Sequence, residues 1–383
     1  MMSYTIMDYV YFRQDLDVFK CPYQEVDYLV FSALAYLPLE GIVDMSNQTI
    51  CLERVANLYK QRRKLLKNHD ASWELMSQTE ELLELCAKSR RYRQIEIGCY
   101  QNILDTSLVQ QFSAMTFFLE NGVRFIAFRG TDDTLLGWHE DFLMLCENTV
   151  SSQMQAVQYV EEVASHSFKV PVKHCLGHTW YEKIKNHMHA PLILGGHSKG
   201  GNLAMYASSF CHDQVAKRIM QVYNYDGPGF LEDVVKDERY QQRVSKMISY
   251  VPHYSFFGIS LFHEEQYHVI KSSNQYMMQH AIFSWEVTTN SFIEDSLSEE
   301  AFQFSLRFST FMNELSYEEK MTLIKTMFGI FDKLHLETFT DLNRLSLKQM
   351  LGAVVEIHQL SSPVKKNIAT VIQMMWDESR KLK

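Results

Sequence analysis

Proline and glycine are scarce, 7 and 15 among 383 residues. No stretch repeats or falls into low complexity, so no obvious linker divides the chain. Cysteine offers no framework either. The seven (Cys21, Cys51, Cys86, Cys99, Cys146, Cys175, Cys211) are odd in number, widely spread and without a CxxC pair. That is the pattern of free or buried thiols in a reducing compartment rather than of disulfides. Basic charge is in deficit, with 37 Lys and Arg against 46 Asp and Glu and a net charge of −9. A nucleic-acid partner is therefore not expected, because phosphate binding wants a basic face. The one basic run, Lys60 to Lys64, reads as the solvated side of a helix. No uncharged apolar run is long enough to span a bilayer, so no transmembrane segment is expected. The opening MMSYTIMDYVYFRQDLDVF lacks the basic start and apolar core of a signal peptide. The expectation is a cytoplasmic protein.

What is present is ordinary in bulk, 46% hydrophobic and 22% charged residues. The length allows one large domain with additions, or two domains. Twenty-four Phe, 20 Tyr and 20 Met promise a soft, aromatic interior that names no ligand. Apolar residues at helical spacing predict helix over 26–40 and over much of 51–93. QFSAMTFFLENGVRFIAFRGT reads as two short strands joined at Asn121-Gly122, a hairpin signal. A helix is predicted over 154–166, then a strand at Pro191–Leu194, a helix in NLAMYASSF, and strands in MQVYNYD, KMISYV and YHVIKS. This alternation predicts a mostly parallel sheet covered on both faces. Beyond Asn290 strand signals stop. Phe304, Phe308, Phe311, Met312 and Leu315 share a helical face, Ser316 with Glu319 reads as a capping box, and Ser362-Pro363 as a last helix start.

Between the strand ending at Leu194 and the helix that follows lies Gly195-Gly196-His197-Ser198-Lys199-Gly200-Gly201. Gly196-x-Ser198-x-Gly200 in a strand–turn–helix setting is a nucleophile elbow: a strained serine exposes its hydroxyl, and small neighbours let strand and helix crowd together. A glycine-rich turn with a capping serine is the plainer explanation. Hydrolases of this kind supply acid and then histidine later in the chain. Of His212, His253, His263, His268, His280, His335 and His358, His280 follows the last strand candidate, where a loop returns over the sheet edge. His253 is the second choice. His174, Cys175 and His178, with His187 and His189, approach metal spacing but lack further ligands, and no P-loop is present, so neither metal nor cofactor is expected.

These motifs resemble two related groups. Phe128-Arg129-Gly130-Thr131 with Gly137-Trp138-His139-Glu140-Asp141-Phe142, the GHSxGG elbow, Asp226-Gly227-Pro228-Gly229 and Val251-Pro252 resemble class 3 (fungal-type) lipases. More closely, Asp15-Leu16, Pro22, Glu25-Val26-Asp27, FRGTDDT…GW-x-EDF, GHSKGGNLA, Asn224 to Phe230 and His280 to Trp285 resemble a bacterial family of lipase-like α/β-hydrolase-fold proteins of unknown function. The resemblance spans about residues 10–290 and implies the hydrolase fold. It also implies that Thr131 contributes to an oxyanion hole and that Asp141 orders the loop beneath it. The triad acid departs from both patterns. Ser249 stands where class 3 lipases carry it, and Tyr254 where the closer family does. Asp226, at the end of the strand after the elbow, is the remaining candidate, although an Asp beside Gly-Pro-Gly often just caps its own turn; Glu264 and Glu265 are outsiders.

The expected architecture is an α/β-hydrolase domain over 1–290 with a helical insertion at about 51–95, and a C-terminal helical region over 291–383. The expected function is a serine hydrolase of lipase or esterase type. Ser198 attacks an acyl ester or lipid substrate, His280 is the base, Asp226 the acid, and Lys199 and Thr131 form the oxyanion hole. The alternative is a catalytically degraded hydrolase fold acting as a binding or scaffold module. Oligomeric state is not legible.

Overall fold

The computed structural model describes residues 3–46, 48–65, 74–166, 189–338, 341, 356–357 and 360–379. Eight strands form one sheet in chain order: β1 (Ile50–Cys51), β2 (Glu96–Asp105), β3 (Gln110–Phe118), β4 (Arg124–Phe128), β5 (Leu192–His197), β6 (Ile219–Tyr225), β7 (Met247–Pro252) and β8 (Gln266–Ile270). The helices that matter here are α1 (Ile6–Arg13), α2 (Glu25–Leu34), α3 (Leu52–Leu65), α4 (Glu74–Lys88), α5 (Leu135–Leu143), α6 (Ser151–Ser165), α7 (Lys199–Phe210), α8 (Glu299–Glu314), α9 (Tyr317–Lys333) and α10 (Ser362–Ser379).

Connection length sets strand direction. Short turns join β2 to β3 and β3 to β4, and those strands pair antiparallel; β1 also runs antiparallel to β2. Longer connections, with α5 and α6 between β4 and β5 and α7 between β5 and β6, leave β4 to β8 parallel. The sheet is mixed, and its parallel half is the one that carries the elbow. β4 and β5 are buried on both faces, which is why they read as unbroken apolar runs. Phe125, Ala127 and Ile193 join the core under α1–α4, while Ile126, Phe128, Leu192 and Leu194 join the core under α6 and α7. This is an α/β-hydrolase architecture.

Between 51 and 95 the chain forms α3 and α4, and the helix expected over 26–40 is α2, ending at Leu34. The acid of the early Glu25-Val26-Asp27 motif is a buried knot. Asp27 accepts from Arg91 Nε at 2.8 Å and Nη2 at 2.9 Å, from Tyr9 Oη at 2.9 Å and from Tyr92 Oη at 2.5 Å. A fully buried carboxylate survives only with such a set of donors. At the other end of the chain, Phe304 and Phe308 on α8 pack against Phe256. On α9, Phe328 stacks on His139 of α5 at 4.3 Å, and the Leu135 N–H donates to the Glu337 carbonyl at 2.9 Å. The Ser316–Glu319 capping box forms as its sequence predicts. No helix among the described residues is long and apolar enough to cross a membrane.

Candidate active site

The elbow is built by crowding. A Cβ on Gly200 would stand 2.2 Å from the Phe128 carbonyl oxygen, and one on Gly196 would stand 2.4 Å from the Gly200 carbonyl carbon, so only glycine lets α7 start this close to β4 and β5. Ser198 itself sits at φ 57°, ψ −133°, a region that non-glycine residues rarely occupy. One strand over, Asp226 leaves β6 at φ 55°. The two residues occupy equivalent places: the Ser198 N–H donates to the Tyr225 carbonyl and the Asp226 N–H to the Tyr250 carbonyl, each at 2.9 Å.

Asp226 is completely buried and is not absorbed by its own Gly-Pro-Gly turn. Its Oδ2 lies 2.6 Å from His280 Nδ1, while Oδ1 accepts from the Ser255 hydroxyl and from the Gly258 N–H at 3.1 Å. Asn224 takes the turn-capping task instead, accepting from the Gly227 N–H at 2.9 Å. His280 ends the short turn Tyr276–His280 after β8, its ring between Phe257 at 4.4 Å and His197 at 4.5 Å. With Nδ1 facing the Asp226 carboxylate, Nε2 is the ring nitrogen left without that partner. The Ser198 hydroxyl makes no hydrogen bond among the described residues; catalytic bonds of this kind often close only with substrate in place.

Three elements fix the histidine loop. The His197 Nε2–H donates to the His280 carbonyl at 2.9 Å, and the Tyr36 hydroxyl meets His197 Nδ1 at 2.9 Å. Burial, with His280 beside it, pushes His197 well below its ordinary value, so the ring is neutral; burial raises the Tyr36 phenol, which stays a donor. The Trp285 indole donates to the Gln279 carbonyl at 2.8 Å, which explains the spacing of the late H…SW element. The Tyr254 N–H donates to the Gln279 side-chain oxygen at 2.8 Å.

The two positions where an acid was expected hold other things. The Ser249 hydroxyl donates to Glu265 Oε1 at 2.5 Å and accepts from Asn224 Nδ2 at 2.9 Å; Tyr254 packs edge-on against Tyr276. Glu265 is engaged there, with His263 Nδ1 at 2.8 Å, and not by His280. His253 Nδ1 meets the Ser296 carbonyl at 2.6 Å, tethering the segment ahead of α8. Sequence reasoning missed Tyr36, Ser255 and Gly258, which carry no local signal.

Neither the Lys199 nor the Thr131 backbone N–H has an acceptor among the described residues. The Thr131 hydroxyl donates to Asp141 Oδ2 at 2.5 Å, so its single proton is engaged there. His174, Cys175, His178 and His187 lie outside the described residues, and among the described ones no group of three His, Cys, Asp or Glu is placed to hold a metal ion. A cavity of about 580 Å³ lies beside the site, between His253, Tyr254, Tyr276, Gln279 and the start of α8; neither Ser198, His280 nor Asp226 lines it.

Residues 86–329 match the sequence profile of the Mbeg1-like family. No curated protein matches the sequence. Among solved structures, the M37 lipase is similar at 13% identity over 62% of this chain and 69% of its own, with a TM-score of 0.35. Lipase II from Rhizopus niveus gives 11% identity over 79% and 92%, with a TM-score of 0.38. The Rhizomucor miehei lipase, in a propeptide complex, gives 14% over 46% and 57%, with a TM-score of 0.31.

Proposed function

We propose that this chain, which belongs to the Mbeg1-like family, is a serine hydrolase that cleaves an acyl ester through a covalent acyl-enzyme. The observation that carries the reading is the buried Asp226 carboxylate 2.6 Å from His280 Nδ1, on the strand end next to the Ser198 elbow. It supplies from a new position the acid that Ser249 and Tyr254 do not.

Ser198 Oγ attacks the acyl carbonyl while His280 Nε2 takes its proton. The resulting oxyanion is held by the backbone N–H groups of Lys199 and Thr131; the Thr131 hydroxyl, bonded to Asp141, supports the loop. The imidazolium, stabilised by Asp226, returns its proton to the departing alkoxide, which leaves as the alcohol. Water then adds to the acyl-enzyme, giving its proton to His280. The second tetrahedral intermediate collapses to the carboxylic acid, and the proton returns to Ser198 Oγ. The substrate is a small-molecule ester or a lipid.

An activated short-chain ester and a fluorophosphonate, each offered to wild type and Ser198→Ala, test this. Wild type should turn over the ester and take the label, and the variant should do neither. Equal behaviour of the two would remove Ser198 from the mechanism and return the fold to a binding role.

A further inference from the structure

The residue after the nucleophile is a lysine, yet its side chain does not reach solvent: Lys199 is 1% exposed. From the first turn of α7, Nζ lies 3.2 Å from Glu140 Oε2 and 3.5 Å from Asp141 Oδ1. The two carboxylates differ in need. Glu140 also accepts from the Gln111 N–H at 2.9 Å, the Ser152 N–H at 2.8 Å and the Ser152 hydroxyl at 2.6 Å. Asp141 has the Thr131 hydroxyl on Oδ2, while its buried Oδ1 has no partner closer than Lys199 Nζ at 3.5 Å. Burial pushes the Asp141 carboxyl up, and the Lys199 ammonium acts against that rise. The groups facing Asp141 are thus Lys199 from α7, Glu140 beside it on α5, and the Tyr36 phenol beyond α2.

An apolar side chain would fill this space without the cost of burying an ammonium. From its placement we infer that Lys199 is a positioning residue: its ammonium holds Asp141 as an anion and thereby pins the oxyanion loop. An anionic Asp141 can only accept, so the Thr131 hydroxyl must point at it, and the Thr131 backbone stays fixed beside the elbow. A protonated Asp141 can donate instead. The hydroxyl is then no longer held to one direction and the tether weakens. The side chain of Lys199 thus orients one oxyanion donor while its own backbone N–H supplies the other.

This inference rests on the hydrolase reading, and the test separates the two. Turnover of an activated short-chain ester is measured against pH for wild type, Ser198→Ala, Lys199→Met, Lys199→Arg and the double variant Lys199→Met/Asp141→Asn. Lys199→Met should lose roughly 10²-fold in kcat with KM little changed, the scale expected when a reacting geometry is loosened. Its loss of activity on acidification should also begin at higher pH than in wild type, because Asp141 protonates more readily without its counter-charge. Lys199→Arg keeps the charge and should keep the wild-type acid limb. In the double variant the Asn carbonyl accepts from Thr131 at every pH, so the displaced limb should vanish and part of the rate return. If Lys199→Met proves unfolded, the last two variants still decide. An unmoved acid limb in Lys199→Met, or an Arg variant that shifts as Met does, overturns the role of Lys199 alone. Absence of any Ser198-dependent turnover in wild type overturns the hydrolase reading instead, and this inference with it.

Discussion

In the proposed mechanism a single carboxylate decides whether the elbow is armed. Asp226 has three donors from two separate loops, His280 on one and Ser255 with Gly258 on the other. That number matters, because a carboxylate bonded only by its own turn could not also orient an imidazole. With Oδ1 occupied by Ser255 and Gly258, Oδ2 is aimed at His280 Nδ1 and fixes the proton on that nitrogen. Asp226→Asn preserves shape but presents an amide that can favour the wrong tautomer. Turnover should fall by roughly 10³ to 10⁴, with a residue of activity from the oxyanion donors. His280→Ala should fall at least as far. Rates of ester hydrolysis for the two variants against wild type check this, with circular dichroism to show that each is folded. A near-wild-type rate in Asp226→Asn would mean that Ser198 and His280 work as a dyad.

At the level of elements, β7 and β8 show what stands where the acid was expected. Ser249 on β7 bonds Glu265, just ahead of β8, and Glu265 also meets His263 and Tyr240. Burial alone would raise the Glu265 carboxyl, but the hydrogen bond and charge of His263 and the Ser249 hydroxyl hold it down to about 2. A depressed carboxylate stabilises the fold above its unfolded value and loses that contribution as pH falls through its folded one. Glu265 should therefore contribute on the order of 3 kcal/mol at neutral pH, lost between about pH 4.5 and 2. In Glu265→Gln, denaturant unfolding should show lower stability at pH 7 and a flatter decline in acid. An acid decline as steep as that of wild type would assign it elsewhere. The same scale shows what was legible. β3 to β8 announced themselves because unbroken or alternating apolar runs met clear turn signals. β2 did not: Cys99 sits at φ 56° and the register slips between Gly98 and Gln101, so its alternation is broken. Helix α5 hid inside a motif, with Gly137 in its first turn weakening the helical signal. Ser198, His280 and Thr131 were nominated from local motifs, which a sequence displays directly. Asp226 was open to two readings, since only the fold shows that Asn224 caps the turn. Ser255 and Tyr36 act across separations of 29 and 161 residues, which no local pattern encodes.

For the whole molecule, the question is whether the C-terminal helices are a separate body or part of the hydrolase-fold core. Their contacts fall on the loops that build the site. Phe304 and Phe308 pack on Phe256, which adjoins Phe257 against the His280 ring and lies two residues from Gly258, a donor to Asp226. Phe328 covers His139 on the helix that also carries Glu140 and Asp141, and Glu337 accepts from Leu135 at that helix's start. Helices of this length are marginal alone in water and gain their stability from such burial. The region from 291 onward is therefore expected to be a docked accessory that unfolds with the rest. Phe304 is 2% exposed, so Phe304→Ala should cost about 3–5 kcal/mol. The loss should appear in one cooperative transition of the whole chain, monitored by both far-ultraviolet dichroism and tryptophan fluorescence. Turnover should fall too, because the 256–258 loop loses the surface it rests on. An independent tail would give a different result: two separable transitions, only one of them moved by the substitution, and an unchanged rate of ester hydrolysis. Limited proteolysis near residue 290 gives the same choice without mutation, since a docked tail resists release as a folded fragment and an independent one survives it.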